Sequence, residues 1–393
     1  MTEEKKGFKK TEVGLIPEDW DVYELGELGN FKNGINKGKE AFGHGSPFVN
    51  LMDVFGIRSI SDVKHLNLVD SNTSEKATYS LEKGDVLFVR SSVKPSGVGL
   101  TTVVDEDLEN AVYSGFLIRF REKGKLYHDY KAYCFHDPGF RNRLIAKSSV
   151  SANTNINQES LKLLRIALPP TLSEQQAIAT ALSDVDELIR SLDGLIQKRE
   201  AIKKGTMQQL LTGKKRLPGF DGEWEVKALG EFAENISSGK SNTKTKVGKF
   251  PVYGSTGIIG WDTTYDYKGD RILVARVGAN AGTVNQVNGK YNVSDNTLMI
   301  TLKSNVNMDF IRYYLIHYDL GTLIFGSGQP LITGGQLKKL DIEIPNLDLQ
   351  NKIVEILSDM DREIQVLRQK REKTWQIKQG MMQELLTGNV RLV

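Results

Sequence analysis

Residues 170–217 read PTLSEQQAIATALSDVDELIRSLDGLIQKREAIKKGTMQQLLTGKKRL, and residues 345–392 read PNLDLQNKIVEILSDMDREIQVLRQKREKTWQIKQGMMQELLTGNVRL. The two stretches align at a constant offset of 175 without a gap, and 22 of the 48 positions are identical. Identity over so long a window marks an internal duplication, which constrains architecture before any single motif does. Each copy predicts one long helix. Ile178, Leu182, Val185, Ile189, Leu192 and Ile196 are spaced 4-3-4-3-4, and Ile353, Leu357, Met360, Ile364 and Leu367 follow the same rhythm. That spacing is a seam for one partner helix, narrower than the apolar face of an ordinary core helix. Ser173 with Gln176 reads as a capping box, and Asp348 as the cap of the second copy. Gly213 and Gly388 stand where a left-handed residue ends a helix. About 40 residues at 1.5 Å each give roughly 60 Å of helix. Gly205 and Gly380 lie inside the two copies, where glycine costs about 1 kcal/mol against alanine, so a kink or a close contact is expected there.

The stretches between the helices also correspond. Trp20 to Glu27 matches Trp224 to Glu231, and Lys83-Gly84-Asp85 matches Lys268-Gly269-Asp270 as a turn before a strand. A second apolar strand follows at Val112–Phe120 and at Thr297–Leu302, then an aromatic-rich helix near Tyr130 and Tyr133 or near Phe310 and Tyr313. An alternating strand closes each block, Leu164 to Leu168 or Leu340 to Ile344. Asn288-Gly289 reads as a type I′ hairpin turn. The order is block, helix, block, helix, with a pseudo-two-fold relation that sends the two helices antiparallel. The expected fold class is mixed α/β (α+β). Its parts are a flexible tail at 1–11, a block at 12–168, a helix at 169–217, a block at 218–344 and a helix at 345–393.

Composition narrows the function. The chain has 393 residues, 39% hydrophobic and 26% charged, with a formal charge of +3. That is globular composition, and no apolar run reaches the roughly 18 residues that span a bilayer. Cys134 is the single cysteine, so no disulfide framework and no cysteine zinc site can form within the chain, and a cytoplasmic location is expected. The N-terminus shows no secretory signal.

Catalytic signatures fail on their spacing. Gly239-Lys240-Ser241 has the end of a phosphate-binding loop, but the first glycine of that motif falls on Glu234. The histidines form no ligand pair. No metal and no cofactor is expected. Glu225 and Lys227 could be the tail of a nuclease carboxylate–lysine motif, and a diverged nuclease is one alternative reading. A protein-binding scaffold is another.

What remains is a set of polar, glycine-rich loops at corresponding places in both blocks. In block one these offer Lys37, Lys39, Arg90, Ser91, Ser92, Lys94, Asn153 and Asn155. In block two they offer Lys240, Asn242, Lys244, Lys246, Arg276, Asn280 and Gln329. Lysine, arginine and hydroxyl groups neutralise or bind phosphate, while Arg, Asn and Gln can pair with base edges. These residues are the candidate DNA contacts.

The arrangement resembles the specificity subunit of Type I restriction-modification systems over nearly the whole chain. The resemblance rests on Gly14-Leu15-Ile16-Pro17-Glu18-Asp19-Trp20 with Leu25-Gly26-Glu27, and on the junction Ile166-x-Leu168-Pro169-Pro170-x-Leu172-x-Glu174-Gln175-Gln176. It rests also on Met207-x-Gln209-Leu210-Leu211-Thr212-Gly213-x-x-Arg216-Leu217, repeated at 382–392. The second junction departs, with one proline and with Leu349 where the first has Glu174. The resemblance implies two target-recognition domains, each reading one half of a split site in double-stranded DNA. The two helices would be a spacer that docks two methyltransferase (modification) subunits, with restriction/translocase subunits joining them, and the chain itself would be non-catalytic. The outer charged faces of the helices, with Arg199, Lys203, Arg371 and Lys378, are the expected partner surface.

Overall fold

The computed structural model describes residues 6–241, 247–324 and 331–392. Two helices dominate, Leu172–Leu210 of 39 residues and Leu347–Leu386 of 40. Their seam positions Ile178, Leu182, Ile189, Leu192, Ile196, Ile353, Leu357 and Ile364 are buried, as the spacing requires. The N-caps differ from expectation. Thr171 Oγ1 accepts the Glu174 N–H at 3.2 Å and Asn346 Oδ1 accepts the Leu349 N–H at 2.9 Å, so the caps are Thr171 and Asn346, not Ser173 and Asp348. Gly213 and Gly388 take φ of 65° and 70°, the left-handed ends expected. Gly205 and Gly380 meet nothing that a Cβ would touch, and both helices run through them unbroken, so no close contact explains these glycines.

The chain divides into two compact units. One comprises residues up to Ser191 and from Arg371 onward, and the other comprises Leu192–Lys370. Each therefore holds half of each helix. In the first unit, Ile178, Leu182, Met382, Leu385 and Leu386 join a core with Trp20, Leu25, Phe88, Phe120 and Tyr130. In the second, the 175-offset counterparts Ile353, Leu357, Met207, Leu210 and Leu211 join Leu229, Ile272, Ile300 and Phe310. The helices run antiparallel within both units. Asp186 pairs with Lys378 and Glu174 with Arg391 in the first. In the second, Arg199 pairs with Glu363, Glu200 with Arg368 and Lys203 with Asp361.

The first unit holds a five-stranded sheet in the order Gly29–Asn33, Leu117–Glu122, Val86–Val89, Thr101–Val104, Ser59–Ile60, with only the last pair parallel. The second holds the matching order Ala233–Ser238, Thr297–Leu302, Arg271–Ala275, Val284–Val287, all antiparallel. In each, the closing strand pairs back to the opening one, Arg165–Leu168 on Asp21–Glu24 and Asp341–Ile344 on Glu225–Ala228.

Three local expectations change. Phe8–Thr11 pairs with Gly14–Pro17, so part of the expected tail is a hairpin strand. The strand read through Val112–Phe120 is broken into Val112–Tyr113 and Leu117–Glu122 by Ser114-Gly115-Phe116. Asn288-Gly289 makes no type I′ hairpin: only Gly289 has positive φ, and the flanking strands pair with other partners.

Candidate nucleic-acid interface

In the first unit, the break at Ser114-Gly115-Phe116 is where three chain segments cross. Gly34 N–H donates to the Leu117 carbonyl at 3.1 Å, Ile35 N–H to Tyr113 at 2.8 Å, and Gly115 N–H returns to Ile35 at 2.8 Å. Arg90 N–H donates to the Phe116 carbonyl at 2.8 Å and its own carbonyl accepts from Ile156 at 3.0 Å. Gly34 has to be glycine, because a Cβ there would lie 2.2 Å from the Ser114 carbonyl oxygen.

The second unit repeats four of these five bonds. Gly239 N–H donates to Thr297 at 3.1 Å and Lys240 N–H to Val293 at 2.9 Å. Arg276 N–H donates to Asn296 at 3.0 Å and its carbonyl accepts from Ile332 at 2.9 Å. A Cβ on Gly239 would lie 2.1 Å from the Val293 oxygen. The pattern makes Gly34 equivalent to Gly239, Arg90 to Arg276, Ser114 to Ser294 and Phe116 to Asn296. It forms a rim at the end of the main sheet, built twice from different loops.

Part of the block-one loop set lies on this rim. Ser91–Ser92 pairs with Thr154–Asn155, which brings Ser91, Ser92 and Asn155 beside Arg90, with exposed Asn153 and Lys94 at the margins. Arg90 also reaches the Gly115 carbonyl at 3.2 Å. Lys39 is exposed in a short turn, Lys39–Ala41. Lys37 is half-buried and committed to Glu75 at 2.8 Å, so it is not an open phosphate contact. In block two, Lys240 and Asn280 are exposed and Arg276 is half-buried, with an Nε that finds no partner among the described residues. Asn242, Lys244, Lys246 and Gln329 lie outside the described residues. The segments 114–116 and 294–296 are not among the candidate contacts that the loop composition points to. Their signal is a serine followed by glycine or aspartate, Ser114-Gly115 and Ser294-Asp295, interrupting an otherwise apolar run.

Of the helix residues, Lys203 and Lys378 do not point outward. Lys378 is 8% exposed and pairs with Asp186, and Lys203 pairs with Asp361. The reason is electrostatic: Asp186 and Asp361 are half-buried carboxylates on the facing helix, and the lysine opposite satisfies each. Arg199 lies 3.0 Å from Glu363 with 41% of its side chain exposed, and Arg371 is half-buried. Glu225 and Lys227 contact one another on an exposed strand. No group of three or more His, Cys, Asp or Glu suited to a metal occurs among the described residues. Among them, too, no helix is long and apolar enough to cross a membrane.

A family model, the Type I restriction modification DNA specificity domain, matches residues 17–201 and again 221–374. The chain belongs to this family. The double match follows the duplication, one copy per rim. Along 419 aligned residues this specificity subunit is 29% identical to a chain assigned as the MjaX type I restriction enzyme specificity subunit of Methanocaldococcus jannaschii, over 99% of this chain and 97% of that one. The fold is that of the S subunit from M. genitalium, with TM-score 0.59, 16% identity, and coverage of 93% of this chain and 96% of that one. It is also that of a chain solved in work on complex assembly and conformational transition of the type I R-M system, with TM-score 0.61, 16% identity, and coverage of 95% and 99%. DNA sequence recognition is thus the specificity subunit's role.

Proposed function

We propose that the chain recognises a bipartite DNA target, one half-site per rim, and directs methyltransferase and restriction subunits to it while doing no chemistry itself. The observation that carries this reading is the duplicated rim: the same main-chain hydrogen bonds hold Arg90 in one unit and Arg276 in the other, amid different side chains. Equal frames with unequal contents suit a protein that reads two different short sequences with one mechanism. Two linked readers gain from effective concentration, because the second half-site is bound intramolecularly.

The paired helices carry the partner subunits. The seam consumes one face of each helix, and Leu188, Leu195 and Ile202 of the first helix remain 44%, 38% and 41% exposed at seven-residue spacing. An apolar stripe of that kind suits a further helix, and the solved type I chain described above concerns complex assembly. The cytoplasm, where the DNA is, is the proposed location.

The test is selection from a pool of randomised duplexes by the full chain. Two conserved half-sites at a fixed gap support the reading. One contiguous motif, or no enrichment, overturns it. Metal-dependent cleavage by the chain alone would favour a nuclease using Glu225 and Lys227 instead.

A further inference from the structure

We propose that Phe116 and Asn296, which occupy the same place in the two rims, are specificity-determining residues, Asn296 reading an adenine and Phe116 a thymine in opposite half-sites. This assignment rests on the reading of the rims as DNA readers.

The main chain at both positions is held from several sides. The Phe116 carbonyl accepts from Arg90, and its N–H donates to Ser114 Oγ at 3.3 Å. The Asn296 carbonyl accepts from Arg276 and from Ser255 Oγ at 3.0 Å. The side chains are not held. Phe116 is 55% exposed, an expensive place for an aromatic ring, and Asn296 is exposed with no side-chain hydrogen bond among the described residues. A fixed backbone that presents a free side chain is the arrangement a preorganised contact needs.

Around them part of the frame is the same in both units. Gly34 and Gly239, Ser114 and Ser294, Arg90 and Arg276, and Ile156 and Ile332 are the same residue in both units. Ile35 and Lys240, Tyr113 and Val293, Gly115 and Asp295, and Leu117 and Thr297 differ across the units, and so do Phe116 and Asn296, an apolar ring against a carboxamide; of these pairs, Phe116 and Asn296 are the one exposed in both units.

The chemistry selects the bases. A carboxamide carries a donor and an acceptor, which match adenine N6 and N7 in the major groove. A phenyl ring has neither, and its complement there is the thymine methyl group. The neighbouring Arg90 and Arg276 lie beside these positions, and Lys94 and Lys240 are exposed on the same rims, where they can meet phosphates.

The experiment compares base preferences at every position of the selected site for the wild-type chain, Asn296→Ala and Phe116→Ala. Each is tagged and purified from its host with the subunits that accompany it, and probed with randomised duplexes. Asn296→Ala should relax one adenine in one half-site by about 5- to 150-fold, the range of a bidentate base contact. Phe116→Ala should relax one thymine in the other half-site several-fold. Each variant's untouched half-site serves as its folding control. Unchanged preferences, or a uniform loss across all positions with both half-sites kept, overturn the assignment and leave the split-site reading standing. Wild-type chain that enriches nothing overturns the split-site reading and this assignment together.

Discussion

Lys378 lies 2.7 Å from Asp186, tying the second long helix to the first inside one compact unit. The Tyr133 hydroxyl donates to the same carboxylate at 3.0 Å, and Arg58 pairs with it too. The other unit repeats the motif at an offset of 175 along the helices: Lys203 pairs with Asp361, and the Tyr313 hydroxyl donates to Asp361 at 2.7 Å. Both junctions thus fasten the aromatic helix of a recognition block to the helix pair through one carboxylate.

Unequal burial makes the two junctions unequal in energy. The Asp186 and Lys378 side chains are 14% and 10% exposed, while Asp361 is 41% exposed. Asp186→Asn leaves the buried Lys378 without its carboxylate, while Arg58 keeps water, and breaking a buried pair costs about 3 kcal/mol. Asp361→Asn should cost about 1 kcal/mol or less, as exposed pairs do. Thermal unfolding of the two variants checks this, and equal losses would contradict it.

His136 gives the first unit an acid limit. Its ring stands 3.1 Å from Thr101 Oγ1, and burial, with Arg141, Arg58 and Lys378 nearby, pushes its pKa down to about 4. The unfolded chain titrates near the ordinary value of about 6.5. Between those values the unfolded state binds more protons, so stability is full above about pH 6.5 and falls as pH drops toward 4. The loss from this group should approach about 3 kcal/mol, less what remaining solvent contact screens. His136→Gln should flatten the dependence of urea unfolding on pH across that window. An unchanged profile would assign the acid sensitivity elsewhere.

The helix duplication was legible because a 3.5-residue rhythm survives any surface variation, and Ile178 and Ile353 sit in the cores as their spacing required. The caps at Thr171 and Asn346 were missed because Ser173 and Asp348 are equally good oxygen acceptors two residues on, and only the main-chain path decides between them. The rims were half legible. Arg90 and Arg276 stood out by type, but Phe116 and Asn296 did not, since their role depends on a crossing of segments far apart in the chain, Gly34 with Leu117 and Gly239 with Thr297. Lys203 and Lys378 misled because charge on a helix reads as solvated until its partner on the other helix is known. The departure at Leu349 was visible but not its meaning. Glu174, 2% exposed, holds Arg391 jointly with Asp19, whereas Leu349 joins the apolar core and Arg216 is left over the face of Trp224 at 5.5 Å.

Glycine gives a prediction of opposite signs. Gly205→Ala and Gly380→Ala fill open space in helix interiors and should stabilise by about 1 kcal/mol each. Gly34→Ala and Gly239→Ala would push a carbon against main-chain oxygens and should destabilise the rims. Melting temperatures of the four variants check the contrast, and a loss at Gly205 or Gly380 in the purified chain would contradict it.

Helix length should set the gap between half-sites. Seven residues inserted after Ile196, with seven more after Leu367 of the facing helix, keep the seam in register and add about 10 Å of helix. At 3.4 Å per base pair the unspecific gap should lengthen by about three base pairs. Half-site bases should not change, since both rims are untouched. An unchanged gap, or altered half-sites, would refute the ruler.

Mapping methylated bases across the genome of a host carrying this chain with its modification subunit, against the same host lacking the chain, tests the split-site claim most directly. The predicted result is a motif of two specific half-sites separated by a gap of fixed length and no sequence preference, absent without the chain. A single contiguous motif, or methylation that persists unchanged without the chain, would contradict it.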